Sequence, residues 1–253
     1  MRIVSLVPSL TESLWEIGVG PRVVGVTKFC VHPENARTNA AVVGGTKDPN
    51  IEAIRSLKPD LVLADEDENK PEHLKELEAF TKVHVTRIQT VTDVAQELAV
   101  IGRLVGREHD AEARAQTILQ RASELRSVAS LAPRLAVFVP IWRTPLMTIG
   151  GRTYMADLVR LAGGRTIFDS SSRKYFETSF QEARAQGPEA ALLPTEPYRF
   201  REQHRAEVAG GLNLPLERVR IVDGQAFTWF GTRTLQGLEA IPDALRLARM
   251  APA

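Results

Sequence analysis

What the chain lacks narrows its possible roles quickly. Cys30 is the single cysteine among 253 residues, so no intrachain disulfide or multi-cysteine zinc site can form, and the fold must rest on packing. The 32 Lys and Arg are balanced by 31 Asp and Glu, for a formal net charge of +1. With no basic field and no Lys/Arg run, DNA, RNA and anionic membranes are poor partners. No segment approaches the ~18 uninterrupted apolar residues of a membrane helix, so the chain is not membrane-embedded. The start, Met1-Arg2-Ile3-Val4-Ser5-Leu6-Val7-Pro8, lacks the basic head, apolar stretch and small-residue cleavage site of a secretory leader and reads as a buried strand. The expectation is a soluble protein, cytoplasmic if the chain is complete as given, and periplasmic or otherwise extracytoplasmic if a leader has been removed.

Enzyme signatures are also missing. There is no G-x-S-x-G elbow and no H-E-x-x-H, and Gly44-Gly45-Thr46-Lys47 has neither the spacing nor the helix start of a phosphate loop. Val7-Pro8-Ser9-Leu10 stands where a dinucleotide fold carries G-x-G-x-x-G, which argues against a nicotinamide or flavin cofactor. Cys30 and His32 could in principle act as nucleophile and base, but side chains two apart on a strand-end loop rarely converge to the required ~3 Å.

What is present is a βα alternation. Short β-branched runs at Ile3–Val7, Val23–Thr27, Leu61–Ala64 and Val83–Thr86 are separated by stretches with apolar residues every three to four positions. Ser9 with Glu12 reads as a capping box for a first helix whose apolar face includes Leu14, Trp15 and Ile17, Gly18 ending it. Asn50 is placed to cap a helix running to Leu57, and Pro71 to open another with Leu74, Leu77 and Phe80. From Thr92 the stripe Val94, Leu98, Ile101 and Val105, stopped by Gly106, precedes a second stripe at Ile118, Ala122, Leu125 and Ala129. This second helix, ~20 residues or ~30 Å at 1.5 Å per residue, is long enough to bridge two lobes. Strands resume at Leu135–Val139, Arg165–Phe168, Ala190–Leu193 and Val219–Val222, and a last helix runs from about Thr234 to Arg249. The fold expected is α/β, with two Rossmann-like lobes joined by a long backbone helix and a ligand cleft between them. The divisions are 1–90, the helical segment 91–133, and 134–253. The halves are too dissimilar to be an internal repeat.

Ligands of open α/β sheets gather at the carboxyl ends of strands. Aromatic residues are only 6% of the chain, yet all except Trp15, Phe29 and Phe80 lie at or after Phe138, many just beyond a strand. Trp142 and Arg143 follow one strand, Tyr198 and Phe200 another, and Phe227, Trp229 and Phe230 a third. Any one of these rings could be a lid over the core; Trp142 and Trp229 together read as a ligand wall, because an exposed indole is costly unless something flat or apolar covers it. In the first half Phe29-Cys30-Val31-His32-Pro33 follows the second strand, and Asp65-Glu66-Asp67-Glu68-Asn69-Lys70 the third. A Cys-x-His pair is usually structural, with nearby carboxylates able to complete a metal site. An acidic run of this kind is most often a solvated cluster at a helix start.

Several segments together resemble a known family. Val4-Ser5-Leu6-Val7-Pro8-Ser9-Leu10-Thr11-Glu12, Val23-Val24-Gly25-Val26-Thr27, and Asn50-Ile51-Glu52-Ala53-Ile54 leading into Leu57-Lys58-Pro59-Asp60-Leu61-Val62-Leu63 are similar to the N-lobe of helical-backbone metal receptors. These are the class III periplasmic substrate-binding proteins of ABC importers for vitamin B12, haem and ferric siderophores. Met155–Phe168 and Asp223–Phe230 resemble C-lobe segments of the vitamin B12 binders. The resemblance implies two lobes on one rigid helix, no intrinsic cofactor, and a metal chelate, cobalamin first, as bound ligand. By position it places Trp142, Trp229 and Phe230 on one side of that ligand and Phe29, His32 and Glu66 on the other; Arg143, beside Trp142, and Tyr198, on the loop after Ala190–Leu193, are further candidate contacts. It also implies one permease-docking glutamate per lobe: Glu52 matches the first, and Gln181 aligns with the second, Glu182 beside it. Without a leader, the same protein would instead be a soluble corrinoid or chelate carrier. The expectation is thus a monomeric, non-enzymatic chelate binder with an ABC permease as partner. Two alternatives stay open: an enzyme of tetrapyrrole or metal metabolism using His32 and Glu66, and a free-metal binder using Cys30, His32 and carboxylates.

Overall fold

A computed structural model describes residues 1–251. Its packing divides the chain into two compact units, the first comprising Met1–Ile88, Asp93–Gln116 and Phe230–Arg233, and the second the remaining described residues.

Within the first unit the elements in chain order are β1 (Ile3–Ser5), α1 (Pro8–Glu16), β2 (Val23–Val26), α2 (Ala36–Asn39), β3 (Ala41–Val42), α3 (Ile51–Ser56), β4 (Leu61–Asp65), α4 (Pro71–Glu78) and β5 (Lys82–Thr86). The strands form one parallel sheet in the order β3-β2-β1-β4-β5, with Ile3 opposite Val23 on one side and Leu61 on the other. β1 and β4 are buried along their whole length, as expected of central parallel strands covered on both faces. One core layer packs Ile3, Leu10, Leu14, Ile17 and Leu63; the opposite layer packs Val4, Leu6, Ile54, Val62 and Leu77.

Several local expectations hold. The Asn50 side chain accepts a 2.9 Å hydrogen bond from the Ala53 N–H, and Pro71 opens α4 at its first turn. The Ser9–Glu12 capping box does not form. Helix α1 begins at Pro8, with Val7 as an N-cap that makes no side-chain bond, because proline at N1 needs no N–H partner and its φ is already helical. Ser9 and Glu12 lie inside the helix, and Ser13 Oγ donates to the Ser9 carbonyl at 2.8 Å. Glu12 is bound instead by Arg233, whose Nε donates to Oε2 at 2.7 Å and whose Nη2 donates to Oε1.

Helices α5 (Val91–Val105) and α6 (Glu108–Ala129) follow, separated at Gly106, which adopts φ +66, the left-handed region that ends helices. The 22-residue α6 packs with the first unit through Gln116 and with the second from Thr117. No described helix is long and apolar enough to cross a membrane.

The second unit continues with β6 (Leu135–Phe138), β7 (Pro140–Trp142), β8 (Met147–Ile149), α7 (Tyr154–Leu161), β9 (Gly164–Thr166), β10 (Tyr175–Glu177), α8 (Phe180–Ala185), β11 (Ala190–Pro194), α9 (Glu202–Leu212), β12 (Val219–Val222), α10 (Gly224–Thr228) and α11 (Thr234–Met250). A four-stranded parallel sheet runs β12-β11-β6-β9, and a small antiparallel sheet runs β10-β8-β7. That small sheet was not expected: its strands are three residues each, too short for a period-two pattern to stand out. The α/β class, parallel sheets and long helix agree with the sequence reading.

Candidate functional site

The second unit assembles a chain of rings at its strand ends. Trp142 closes β7 and is 41% exposed, and its Nε1–H donates to the Thr144 carbonyl at 3.1 Å. Tyr198 meets it edge-on, centroids 5.6 Å apart, and Tyr198 in turn packs on buried Phe200 at 4.8 Å and His204 at 5.7 Å. His204 Nδ1 accepts the Arg201 N–H at 2.9 Å, capping α9. The surface indole is thus braced through edge-to-face contacts that run down to the core. Arg143 donates to Glu207 at 3.0 Å, and that carboxylate raises the guanidinium further above its ordinary range, with Tyr198 adding to the effect.

Trp229 follows directly after α10 and is half-buried. Its Nε1–H donates to Glu196 Oε2 at 3.0 Å, while Gln225 Nε2 donates to Glu196 Oε1 at 3.1 Å. The next residue, Phe230, packs on the first unit's core cluster. Phe227 and Phe200, which the sequence places on the same loops, are core residues at 0% and 2% exposure; ring type alone does not separate a wall from a plug.

In the first unit Phe29 is 50% exposed, with Lys28 Nζ 5.2 Å from its ring centroid. His32 lies three residues on and is half-buried. Cys30 turns away into the core, its Sγ 3.1 Å from Thr11 Oγ1 and 3.3 Å from Thr27 Oγ1. Burial pushes its thiol pKa up, which suppresses the thiolate that nucleophilic attack or metal ligation would need. Among the described residues no group of three or more His, Cys, Asp or Glu side chains is placed to hold a metal ion, so no donor set for a free ion is assembled there around Cys30 and His32.

The acidic run is not a solvated helix start. Asp65 is the last residue of β4, 2% exposed, and α4 begins only at Pro71. Oδ1 of Asp65 accepts the Asp67 N–H at 2.9 Å and Oδ2 accepts the Thr86 hydroxyl at 2.7 Å. Asn69 closes the loop, its Oδ1 accepting the Asp65 N–H and its Nδ2 donating to the Thr46 carbonyl, both at 2.9 Å. Loss of hydration raises the Asp65 pKa to about 6, opposed by the bonds from the Thr86 hydroxyl and the Asp67 N–H and reinforced by the Asp67 and Glu68 charges. Glu66, next in the loop, pairs with Arg87 at 3.2 Å.

Of the two docking candidates, Glu52 lies in the first turn of α3 with its side chain 81% exposed, 3.4 Å from Arg55. Glu182 is exposed but engaged. Its Oε2 accepts the Ser179 N–H at 2.9 Å and the Thr178 hydroxyl at 3.1 Å, completing a capping box on α8 and holding its carboxyl below the usual range. The structure therefore groups Trp142, Arg143 and Tyr198 around one ring cluster and holds Trp229 on Glu196. It places Phe29 and His32 on the loop after β2, with Glu66 on the loop after β4. Glu196 escaped the sequence reading; its signal was its position two residues past the end of β11, where strand-end chemistry collects.

Comparison with known proteins agrees with this architecture. The family model described as "Periplasmic binding protein" matches residues 3–195. The vitamin B12-binding protein of Vibrio vulnificus (strain YJ016) is 26% identical over 193 residues, covering 76% of this chain and 70% of that protein. Among solved structures, the periplasmic vitamin B12 binding protein BtuF of Vibrio cholerae superposes with a TM-score of 0.84 at 22% identity, over 99% of this chain and 98% of that one. A periplasmic heme binding protein from Pseudomonas aeruginosa gives 0.82 at 23% identity, over 99% and 94%. The α/β sheets, the long helix and a match spanning most of the sequence converge on one conclusion: the chain belongs to the periplasmic binding protein family.

Proposed function

We propose that this protein captures a flat metal chelate, a corrinoid foremost and haem or a ferric siderophore next, as the substrate-binding component of an ABC importer outside the cytoplasmic membrane. The observation that carries the reading is the braced surface ring Trp142, backed by Tyr198 in edge-to-face contact at 5.6 Å. A macrocycle laid against such rings gains apolar burial and stacking, while a few polar groups set its orientation. Trp142, Tyr198, Trp229 and Phe230 are assigned as ring contacts, Arg143 as a charged partner for ligand carboxylates or amides, and Phe29, His32 and Glu66, on the loops after β2 and β4, as further contacts. The relatives named for vitamin B12 support a corrinoid over the others. Glu52 and Glu182 are assigned to permease docking, Glu52 by its exposure; Glu182 would have to dock while capping α8.

Titration with cobalamin, haemin and a ferric hydroxamate, followed by tryptophan quenching, is expected to saturate at micromolar concentration or below for at least one of them. Absence of saturation with all three would overturn the reading, and product formation from a bound tetrapyrrole would replace it with the enzymatic alternative based on His32 and Glu66.

A further inference from the structure

We propose that Glu196 is a positioning residue for ligand capture, setting the plane of the Trp229 indole before any ligand arrives; this rests on the binding reading given above. The turn that carries Glu196 is tied to the start of α10. Thr195 N–H donates to the Val222 carbonyl at 3.1 Å, and Thr195 Oγ1 accepts the Gly224 N–H at 2.8 Å. Gly224 permits this closeness, since a Cβ there would sit 2.2 Å from Glu196 N and 2.7 Å from Glu196 Cβ. The Glu196 carboxylate then receives two donors from successive turns, Gln225 Nε2 at 3.1 Å on Oε1 and Trp229 Nε1 at 3.0 Å on Oε2. The Trp229 N–H donates to the Gln225 carbonyl at 3.0 Å, so backbone and side chain of the tryptophan are both held.

An indole has one N–H, and it lies in the ring plane. A single directed bond to it therefore restricts rotation of the whole ring, and an ionised acceptor makes that bond stronger than a neutral pair. Glu196 is half-buried and Trp229 keeps part of its surface exposed, so the carboxylate fixes the nitrogen edge without covering the ring. Loss of Glu196 removes the restraint on the nitrogen edge of the indole, and ordering a side chain on binding subtracts directly from affinity.

The test compares Glu196→Ala, Glu196→Gln and Trp229→Phe in the full chain. Without ligand, the Trp229 indole N–H resonance is expected to shift and to exchange faster with solvent in Glu196→Ala, and to return toward wild type in Glu196→Gln. With the chelate that binds wild type best, Glu196→Ala is expected to weaken affinity about tenfold, with recovery in Glu196→Gln and no further loss when Glu196→Ala is added to Trp229→Phe. An unchanged indole resonance, or an equal loss of affinity on the Trp229→Phe background, would overturn the inference while wild-type binding stands. If wild type binds none of cobalamin, haemin and a ferric hydroxamate, the binding reading fails and the inference falls with it.

Discussion

Asp65 allows a quantitative test of how the loop after β4 is held. Its carboxyl is buried at the strand end with a pKa raised from 3.8 to about 6. The sign follows from linkage. The folded state keeps the proton more tightly than the unfolded chain, so the full stability is present below pH 3.8 and declines as pH rises through about 6. Taking 1.36 kcal/mol per pKa unit, the shift costs the folded state about 3 kcal/mol at pH 8, where the buried carboxyl is ionised, and roughly half of that at pH 5, where mainly the unfolded chain has ionised. Asp65→Asn removes the charge and keeps the shape. Its amide oxygen can accept the Asp67 N–H, and its NH2 can donate to the Thr86 hydroxyl, which has the Ala64 carbonyl 3.2 Å away as an alternative acceptor. The variant should therefore gain roughly 1–2 kcal/mol relative to wild type on moving from pH 5 to pH 8, equivalent to a few degrees in the midpoint of a chain this size. Thermal or urea unfolding of both proteins at the two pH values checks this, because other titrating groups cancel in the difference. A variant that loses ground to wild type between pH 5 and pH 8 would refute the argument and make the Asp65 charge a net stabiliser.

Other outcomes follow from the same structure. Glu12→Ala removes the bidentate partner of the Arg233 guanidinium, the two side chains being 11% and 9% exposed, and should cost about 3–5 kcal/mol in denaturant unfolding; a loss below about 1 kcal/mol would show other groups or water replacing the carboxylate. Trp142→Ala removes an exposed ring and should leave the unfolding midpoint within a few degrees while weakening chelate affinity about tenfold by fluorescence or calorimetric titration. Asn50→Ala should cost about 1 kcal/mol through loss of the 2.9 Å cap on α3, read as a lowered urea midpoint at constant slope.

The elements legible in the sequence are those in which one local signal had no rival. β4 is an unbroken apolar run buried on both faces, and α5 carries a clear apolar stripe that Gly106 stops. The first helix shows where local reading fails. Two start signals competed, and Pro8 prevailed over Ser9 because Glu12, the other half of the supposed box, serves Arg233, 221 residues away in sequence. Pairing over that distance leaves no mark in any local window. The site is legible only to the same depth. Strand-end position singled out Trp142 and Trp229, which keep part of their surface exposed, yet it could not tell them from Phe200 and Phe227, which fill the core. Asp65 was hidden inside a run of like charges because its burial depends on where the strand stops. Glu196 has strand-end position as its one local signal; the partners that give it a role are donors 29 and 33 residues on.

The four residues Phe230–Arg233 bear on how the chain is made. They complete the packing of a unit whose other residues all precede Thr117, with Arg233 on Glu12 and the Thr232 N–H on Ser13 Oγ. A ribosome releases the amino-terminal portion first, and such portions usually settle as they emerge. Here that portion lacks the partner of its Glu12 carboxylate until a further 221 residues have been translated. A fragment ending at the close of β5 should accordingly be a poor folder, even though it holds every strand of its sheet.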